Sequence, residues 1–237
     1  ARVRVLSRDL SRLSNNCRYD VEIVAGDVTD TAALQKAMAG CDVVVNCTFG
    51  RGSRAAAKAV NVDAVKTIIE QAALARVPRV VHLSTVSAYG VPADGQLTED
   101  SAHKAAHAFV YGYTKWQGEQ IGFSTAAAQQ VDLRILQPTV VYGPGAPSWT
   151  QNPLRMLKGG QVVLVNGGTG ACNAVYVDDV VQGIVCAAAS ETGAGERFLI
   201  SGPAPETWRD FYGAYERMLG YTSTVSMSLE DLLERRR

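Results

Sequence analysis

Short apolar runs alternate with longer stretches of helical apolar spacing along most of the chain. The runs are rich in valine and bounded by turn or capping residues, which is typical of buried parallel strands. They predict strands at residues 3–6, 21–25, 43–47, 80–83 and 133–136. Between them, helices are predicted at 31–38, where Asp30 caps the start and Gly40 ends the helix, at 62–74 and at 108–128. This alternation predicts an α/β fold built on a doubly wound parallel sheet, which binds ligands beyond the carboxyl ends of its strands.

The rhythm loosens after Pro138, and the segment 142–147 is rich in glycine and proline. We therefore predict a large first domain over residues 1–141 and a smaller lobe over 142–237 that partly returns to the sheet. The lobe is predicted to contain helices at 153–158, after Asp179 and at 208–219, strands at 162–165 and 197–200, and a last helix capped by Ser228.

Composition and charge narrow the class of partner. Of the 237 residues, 47% are hydrophobic, which is enough for a full core. Lysine plus arginine balance aspartate plus glutamate at 23 each, so no strong field attracts nucleic acid or an anionic membrane. No apolar run approaches the roughly 18 to 20 residues that span a bilayer. The expected partner is a small molecule.

The five cysteines make an odd count and show no CxxC spacing. Cys41, Cys47 and Cys186 sit in apolar runs. We therefore expect reduced, buried thiols and a cytoplasmic protein.

Tyr111 and Lys115 stand four residues apart on a predicted helix, and Thr85 follows the strand predicted at 80–83. Residues at this spacing share a helical face, so the ammonium can lie near the phenol. A tyrosine titrates at about 10 and is a poor acid-base catalyst at neutral pH unless a cation lowers its pKa. The pair therefore indicates proton-transfer chemistry, although chance also produces this spacing.

Five motifs follow one another in an order that is known from one family. They are 26–30 (GDVTD), 82–90 (HLSTVSAYG), Tyr111 with Lys115, 138–144 (PTVVYGP) and 176–179 (YVDD). Together they resemble the extended short-chain dehydrogenase/reductases, the NAD-dependent epimerase/dehydratase family. The resemblance implies a Rossmann-like dinucleotide-binding domain over residues 1–141, a substrate-binding lobe and a homodimer. It also implies that Thr85 holds the substrate oxygen, Tyr111 exchanges its proton, and Lys115 binds the nicotinamide ribose.

The resemblance further implies a set of cofactor contacts. They are Ser7, Arg8, Asp27, Val28, Cys47, Thr48, Phe49, Asn61, Pro138, Val140 and Val141. Asp27 would bind the adenine amine, but its segment also makes a good turn into a helix. Asn61 would support the site, and a place at the start of a helix is the open alternative. Asp179 is expected to cap a helix rather than to act in the site.

The first predicted strand ends in Ser7 and Arg8, where NAD-preferring relatives carry an acidic residue. A guanidinium can pair with a 2′-phosphate and a hydroxyl can hydrogen-bond to it, so NADP is predicted, and Asp9 leaves NAD open. The sequence starts at the family's second strand, without the first strand and its glycine-rich turn. Whether these residues lie upstream or are lost stays open, and we expect the chain to bind cofactor poorly.

Two further patterns are predicted to carry no chemistry. His103 and His107 could share a helical face as metal ligands, but a third ligand is missing from the sequence, so we expect solvent-exposed histidines and no metal. The segment 167–170 (GGTG) mimics a phosphate loop but lacks the lysine, and we interpret it as a loop of the lobe.

Two substitutions narrow the reaction. Residues 86–87 (Val-Ser) stand where sugar 4,6-dehydratases carry an Asp-Glu pair, which disfavours dehydration. Residues 172–174 (Cys-Asn-Ala) stand where nucleotide-sugar enzymes often carry a diphosphate-binding arginine, with Arg155 and Arg209 as candidates to replace it. The predicted function is NAD(P)-dependent oxidoreduction or epimerisation at a secondary alcohol or ketone, with a sugar nucleotide as one substrate class. A ketone or flavonoid-type reductase and a catalytically silent NADP-binding sensor or scaffold stay open as alternatives.

Overall fold

The computed structural model describes residues 2–9, 21–90, 96–104 and 106–235 of the chain. Its strands are β1 (Arg4–Ser7), β2 (Glu22–Ala25), β3 (Val43–Asn46), β4 (Arg79–Leu83), β5 (Asp132–Pro138), β6 (Val140–Tyr142), β7 (Val163–Val165), β8 (Ala174–Tyr176), β9 (Arg197–Ile200) and β10 (Val225–Met227). Its α-helices are α1 (Thr31–Met38), α2 (Arg54–Lys58), α3 (Ala64–Leu74), α4 (Val110–Gln129), α5 (Asn152–Lys158), α6 (Val177–Ala189), α7 (Trp208–Leu219) and α8 (Leu229–Glu234). None of these helices is both long and apolar enough to cross a bilayer.

Parallel strand pairs form the framework. β1 pairs with β2, and four further strands pair in the order β3-β4-β5-β9. Smaller parallel pairs join β6 with β8 and β7 with β10. Parallel strands linked through helices confirm the predicted α/β, Rossmann-like class. The described strands do not form one continuous sheet. The β1–β2 pair and the group that begins with β3 are separate, and β1 and β3 each have one edge without a partner among the described strands.

Two compact units divide the chain. The first comprises Ala1–Gln137 and Ile184–Phe198, and the second comprises Pro138–Gly183 and Leu199–Arg237. The predicted role of residues 142–237 as a substrate lobe stays a prediction.

Each unit has its own apolar core. In the first, Leu34 of α1, Ile69 of α3 and Leu133 of β5 are buried together, and Leu6 of β1 and Val44 of β3 pack against them. In the second, the core is formed by residues of α5, α7 and the short strands, namely Leu157, Val162, Leu164, Cys172, Ala174, Phe211 and Tyr215. These cores fix the strands whose carboxyl ends carry the candidate site.

Helix boundaries show where local signals were sufficient. Helix α1 begins and ends where predicted. Its start is fixed because the Asp30 carboxylate accepts hydrogen bonds from the amides of Ala32 and Ala33. The helix predicted at 62–74 instead starts at Arg54 and contains a π-helical turn, Ala59–Asp63, between α2 and α3. Helix α6 starts before Asp179, so this aspartate lies in the first turn and the predicted capping position is wrong.

The cysteines are less buried than predicted. Cys172 is buried and Cys41 is partly buried, but Cys47 and Cys186 are exposed, so the expected burial is wrong for these two residues. Cys17 lies outside the described residues.

Candidate active site

Thr85 stands just beyond the carboxyl end of β4 and is buried. Its side-chain oxygen accepts a hydrogen bond from the amide of Ser87 at 3.2 Å and thereby caps the short 3₁₀ turn Val86–Tyr89. The turn fixes the direction in which the Thr85 hydroxyl points.

Tyr111 lies in the first turn of α4, and the Thr85 side chain is close enough to act on the pKa of its hydroxyl. The Tyr111 ring meets Phe49 and Phe109 edge-on, with centroid distances of 6.4 and 6.3 Å. The Arg51 guanidinium lies 4.5 Å from the centroid of the Phe49 ring. Two of the three predicted catalytic residues, Thr85 and Tyr111, are therefore near each other.

The pKa of Tyr111 is raised above its ordinary value. Burial is the largest cause, and the Thr85 side chain and the positive charge of Arg51 act in the opposite direction. The predicted lowering of this pKa is therefore wrong, because the cost of burying the phenolate outweighs the two groups that favour it.

Lys115 is 2% exposed, and its Nζ donates hydrogen bonds to the carbonyl oxygens of Leu83 at 2.6 Å and Thr48 at 3.4 Å. Burial lowers the Lys115 pKa to about 8, opposed first by the negative charge of Glu119. An ammonium has three N–H donors, so one remains for a ribose hydroxyl. These contacts hold α4 against the chain segments that follow β3 and β4.

Asn61 links the segment after β3 to α4. It is 1% exposed, its Oδ1 accepts from the Gly50 amide at 2.6 Å, and its Nδ2 donates to Thr114 Oγ1 at 2.9 Å. The alternative that Asn61 starts a helix is wrong, because it lies inside the π-helical turn between α2 and α3. Its side-chain amide therefore joins these two segments, and its support of the site stays a prediction.

Asp27 forms the turn that its sequence predicted. Its Oδ1 accepts hydrogen bonds from both the amide and the hydroxyl of Thr29 at 2.8 Å, which lower its pKa, and its Oδ2 lies 3.3 Å from the Arg8 guanidinium. The Arg8 side chain is 77% exposed, and the Ser7 hydroxyl accepts from the Asp9 amide at 3.2 Å. The adenine contact of Asp27 and the phosphate contacts of Ser7 and Arg8 stay predictions.

The other predicted cofactor residues of the first unit vary in burial. Cys47 and Phe49 are exposed and Thr48 is half-buried in the segment that follows β3. Val28 packs against the core of the first unit instead. An exposed edge of Cys47, Thr48 and Phe49 beside Tyr111 and Lys115 is consistent with a ligand surface.

Pro138, Val140 and Val141 belong to the second unit. Pro138 is buried at the end of β5, and Val140 and Val141 are half-buried in β6, where Val140 packs against the second core. Their cofactor contacts stay predictions.

The residues expected to replace the diphosphate-binding arginine have partners within the second unit. The Arg209 Nε donates to the carbonyl of Gly167 at 2.7 Å, and Arg155 hydrogen-bonds the side chain of Asn152. Cys172 is buried in the core of this unit, and burial raises its pKa to about 12. The segment 167–170 follows β7 as a loop, as predicted.

One histidine was predicted wrongly. The His103 side chain is only 9% exposed, because it stacks on Tyr89 at 4.4 Å and lies 3.2 Å from the carboxylate of Glu119. His107 is exposed as predicted. His103 and His107 do not share a helix. The described residues contain no group of three or more metal-ligating side chains.

Sequence reasoning missed Glu119, which is fully buried, and Arg51. The signal for Glu119 was present, because it follows Lys115 by one helical turn and continues the face of Tyr111 and Lys115.

Some curated relatives of this chain are named epimerases and others reductases. An N-acetylglucosaminyl-diphospho-undecaprenol 4-epimerase of Escherichia coli is 28% identical over 66% of this chain and 48% of its own length. A farnesyl-dihydroquinoline-oxide ketoreductase of Stigmatella aurantiaca is 27% identical over 88% of this chain and 63% of its own length. The chain thus spans about half to two thirds of the length of these relatives.

Solved structures agree in fold. A dTDP-glucose 4,6-dehydratase of Streptomyces venezuelae with bound NAD superposes with a TM-score of 0.82 at 24% identity, over 96% of this chain and 75% of that chain. A UDP-glucuronic acid 4-epimerase of Bacillus cereus with NAD gives 0.79 at 21% identity, over 92% and 71%. The family model described as the NAD dependent epimerase/dehydratase family matches residues 1–201. The chain therefore belongs to the NAD-dependent epimerase/dehydratase family, whose fold and motif order it shares.

Proposed function

We propose that this chain carries the proton-transfer site of a nicotinamide-dependent oxidoreductase or epimerase acting on a secondary alcohol or ketone. The observation that supports it most is the proximity of the Tyr111 and Thr85 side chains, with the buried ammonium of Lys115 on the same helix as Tyr111. Two converging hydroxyls can bind one substrate oxygen, and the bound nicotinamide supplies or accepts the hydride.

Each residue has a distinct task in this proposal. Thr85 orients the substrate oxygen, and Tyr111 gives its proton to that oxygen during reduction or accepts it during oxidation. Lys115 holds the ribose with its remaining N–H group and supplies positive charge. Because burial raises the Tyr111 pKa, the phenol is the ground form at neutral pH, which favours its role as an acid.

The test compares Tyr111→Phe with Tyr113→Phe in a version of the protein that turns over. Tyr113 is the matched control, because it lies on the same helix and contacts His107 instead of Thr85. Loss of turnover in Tyr111→Phe but not in Tyr113→Phe supports the assignment. Full turnover in Tyr111→Phe would sink it.

For the substrate we propose a sugar nucleotide or sugar diphosphate, since the names of the 4-epimerase relatives and neighbours point to that class. A ketone reductase is the second candidate. It is favoured by the absence of an arginine at 172–174 and by the in-chain partners of Arg155 and Arg209. Turnover measured on a panel of nucleotide sugars and ketones separates the two.

For the cofactor we propose NADP, with Arg8 as the residue that pairs with the 2′-phosphate. The support is the high exposure of its guanidinium, and the pairing competes with the ion pair to Asp27. Neighbouring structures carry NAD in their names. Dissociation constants for both cofactors, in wild type and Arg8→Ala, test the proposal: only the NADP affinity should fall.

A catalytically silent NADP-binding sensor is a rival from another class. Retention of both Tyr111 and Lys115 argues against it. Cofactor binding seen by nicotinamide fluorescence, with no oxidation or reduction across the substrate panel, would favour the sensor.

We further propose a cytoplasmic homodimer that uses the face shared by α3 and α4. Val62, Tyr113, Trp116 and Ile121 line a shallow groove there. The salt-bridged Lys58–Asp63 and Lys66–Glu70 pairs border it with charge. Light scattering of wild type and Ile121→Glu tests this, because the variant should be monomeric.

A further inference from the structure

Glu119 is the hub of a polar network inside the first unit. It is 0% exposed, and three separate chain segments donate to or contact its carboxylate. The Ser84 hydroxyl donates to Oε1, the Gln137 amide donates to both oxygens at 2.9 and 3.0 Å, and His103 Nε2 lies 3.2 Å from Oε2. A buried carboxylate is costly unless it is hydrogen-bonded, and this one is bonded at both oxygens.

The network includes residues that are next to Thr85 in the chain or that lie one or two helical turns from Lys115 and Tyr111. Ser84 directly precedes Thr85, and Glu119 follows Lys115 by one turn of α4 and Tyr111 by two turns. Gln137 lies near the end of β5 and accepts from the Tyr89 hydroxyl at 2.8 Å, so the 3₁₀ turn after Thr85 is held as well.

The charges around Lys115 single out Glu119. The other titratable groups that act on or near the ammonium are Cys47 and His82. The pKa of Cys47 is raised above its ordinary value, and the pKa of the buried His82 is lowered well below its ordinary value, so both are neutral at neutral pH. Glu119 is therefore the anion that offsets the burial of Lys115.

On its other side, Glu119 faces His103. The imidazole stacks on Tyr89 at 4.4 Å, and the Arg197 Nη1 lies 3.4 and 3.5 Å from its ring nitrogens. The carboxylate, one helical turn after Lys115, thus contacts an imidazole that is itself next to a guanidinium.

We propose that Glu119 is a positioning residue that keeps Lys115 charged and holds the Ser84–Thr85 strand end in register with helix α4. The proposal rests on the proposed function for the roles of Thr85 and Lys115. It does not need turnover for its test, because the charge state of Lys115 can be measured directly.

The experiment is an NMR titration of side-chain-labelled lysine in wild type and Glu119→Gln, with the Lys115 signal assigned by its loss in Lys115→Arg. Glutamine keeps two polar atoms in place and removes the charge. The Lys115 pKa is expected to fall by about one unit or more. Glu70→Gln is the matched control, because it removes an exposed carboxylate four residues after a lysine and should leave Lys115 unchanged.

An unchanged Lys115 pKa in folded Glu119→Gln would overturn the proposal, even if the variant melted earlier. If that variant does not fold, Glu119→Asp carries the test, because it retains the charge and must keep the Lys115 pKa near the wild-type value. Where turnover is found, the alkaline limb of kcat/KM should move to lower pH by the same shift. An absent turnover with a shifted pKa would count against the proposed function alone.

Discussion

The Thr85 side chain, just beyond the end of β4, lies close enough to Tyr111, at the start of α4, to act on the pKa of its hydroxyl. A substrate oxygen that binds between them would meet two hydroxyls, one of which can transfer a proton. Because burial raises the pKa of Tyr111 above its ordinary value, the phenol is the predominant form at neutral pH.

The first prediction concerns the direction of the reaction. Alcohol oxidation needs the phenolate, so its rate should rise with pH up to the Lys115 pKa of about 8, whereas ketone reduction should stay constant over that range. Tyr111→Phe should lower both rates by about 10²- to 10⁴-fold. Rates measured in both directions from pH 6 to pH 9.5 check this, and equal pH profiles for the two directions would contradict it.

The second prediction uses the buried ammonium. The folded pKa of Lys115, about 8, is below its unfolded value of 10.5, so the unfolded chain binds the extra proton between these values. Stability should therefore rise with pH in this window. Relative to Lys115→Met, the wild type should gain about 2 to 3 kcal/mol between pH 7 and pH 10.

Urea unfolding of both proteins at several pH values measures this difference. The exposed Lys66→Met is the control and should show no such change with pH. A wild-type-minus-variant difference that stayed constant across the window would rule out the assigned pKa.

Individual residues show which features of the fold and the site the sequence could predict. Asp30 and Gly40 are local signals, and they were sufficient to place α1. The burial of His103 could not be predicted, because its partners Glu119 and Tyr89 come from other segments. The orientation of Lys115 likewise depends on the backbone carbonyls of Leu83 and Thr48, which helical spacing does not reveal.

The third prediction concerns a partly buried ion-pair cluster in the first unit. Asp132 accepts from Arg134 through both carboxylate oxygens and from Arg79 at 2.8 Å, and the Arg134 side chain is 1% exposed. Asp132→Asn leaves that guanidinium without its counter-charge and should cost about 3 kcal/mol. Asp63→Asn, which breaks an exposed pair with Lys58, should cost less than about 1 kcal/mol.

The same aspartate gives an acid dependence with a defined sign. Burial raises the pKa of Asp132, but the hydrogen bonds from Arg134 and Arg79 outweigh it, so the folded pKa is lowered. Its contribution is present above the unfolded value of 3.8 and is lost as the pH falls through the folded value. The stability gap between wild type and Asp132→Asn should therefore close in acid, and a gap that widened would contradict this sign.

The last prediction concerns the close approach between α4 and the π-helical turn Ala59–Asp63. A Cβ on Gly118 of α4 would lie 2.0 Å from the carbonyl oxygen of Asn61, so only glycine allows this helix approach. Gly118→Ala should destabilise the first unit by about 1 to 3 kcal/mol and weaken the Asn61 links to Gly50 and Thr114. In the control Gly213→Ala, the nearest atom is the flexible Arg217 side chain at 3.6 Å, so helix propensity should stabilise the protein by about 0.5 to 1 kcal/mol. Thermal unfolding of both variants measures the contrast, and a neutral Gly118→Ala would show that α4 and the π-helical turn can separate without cost.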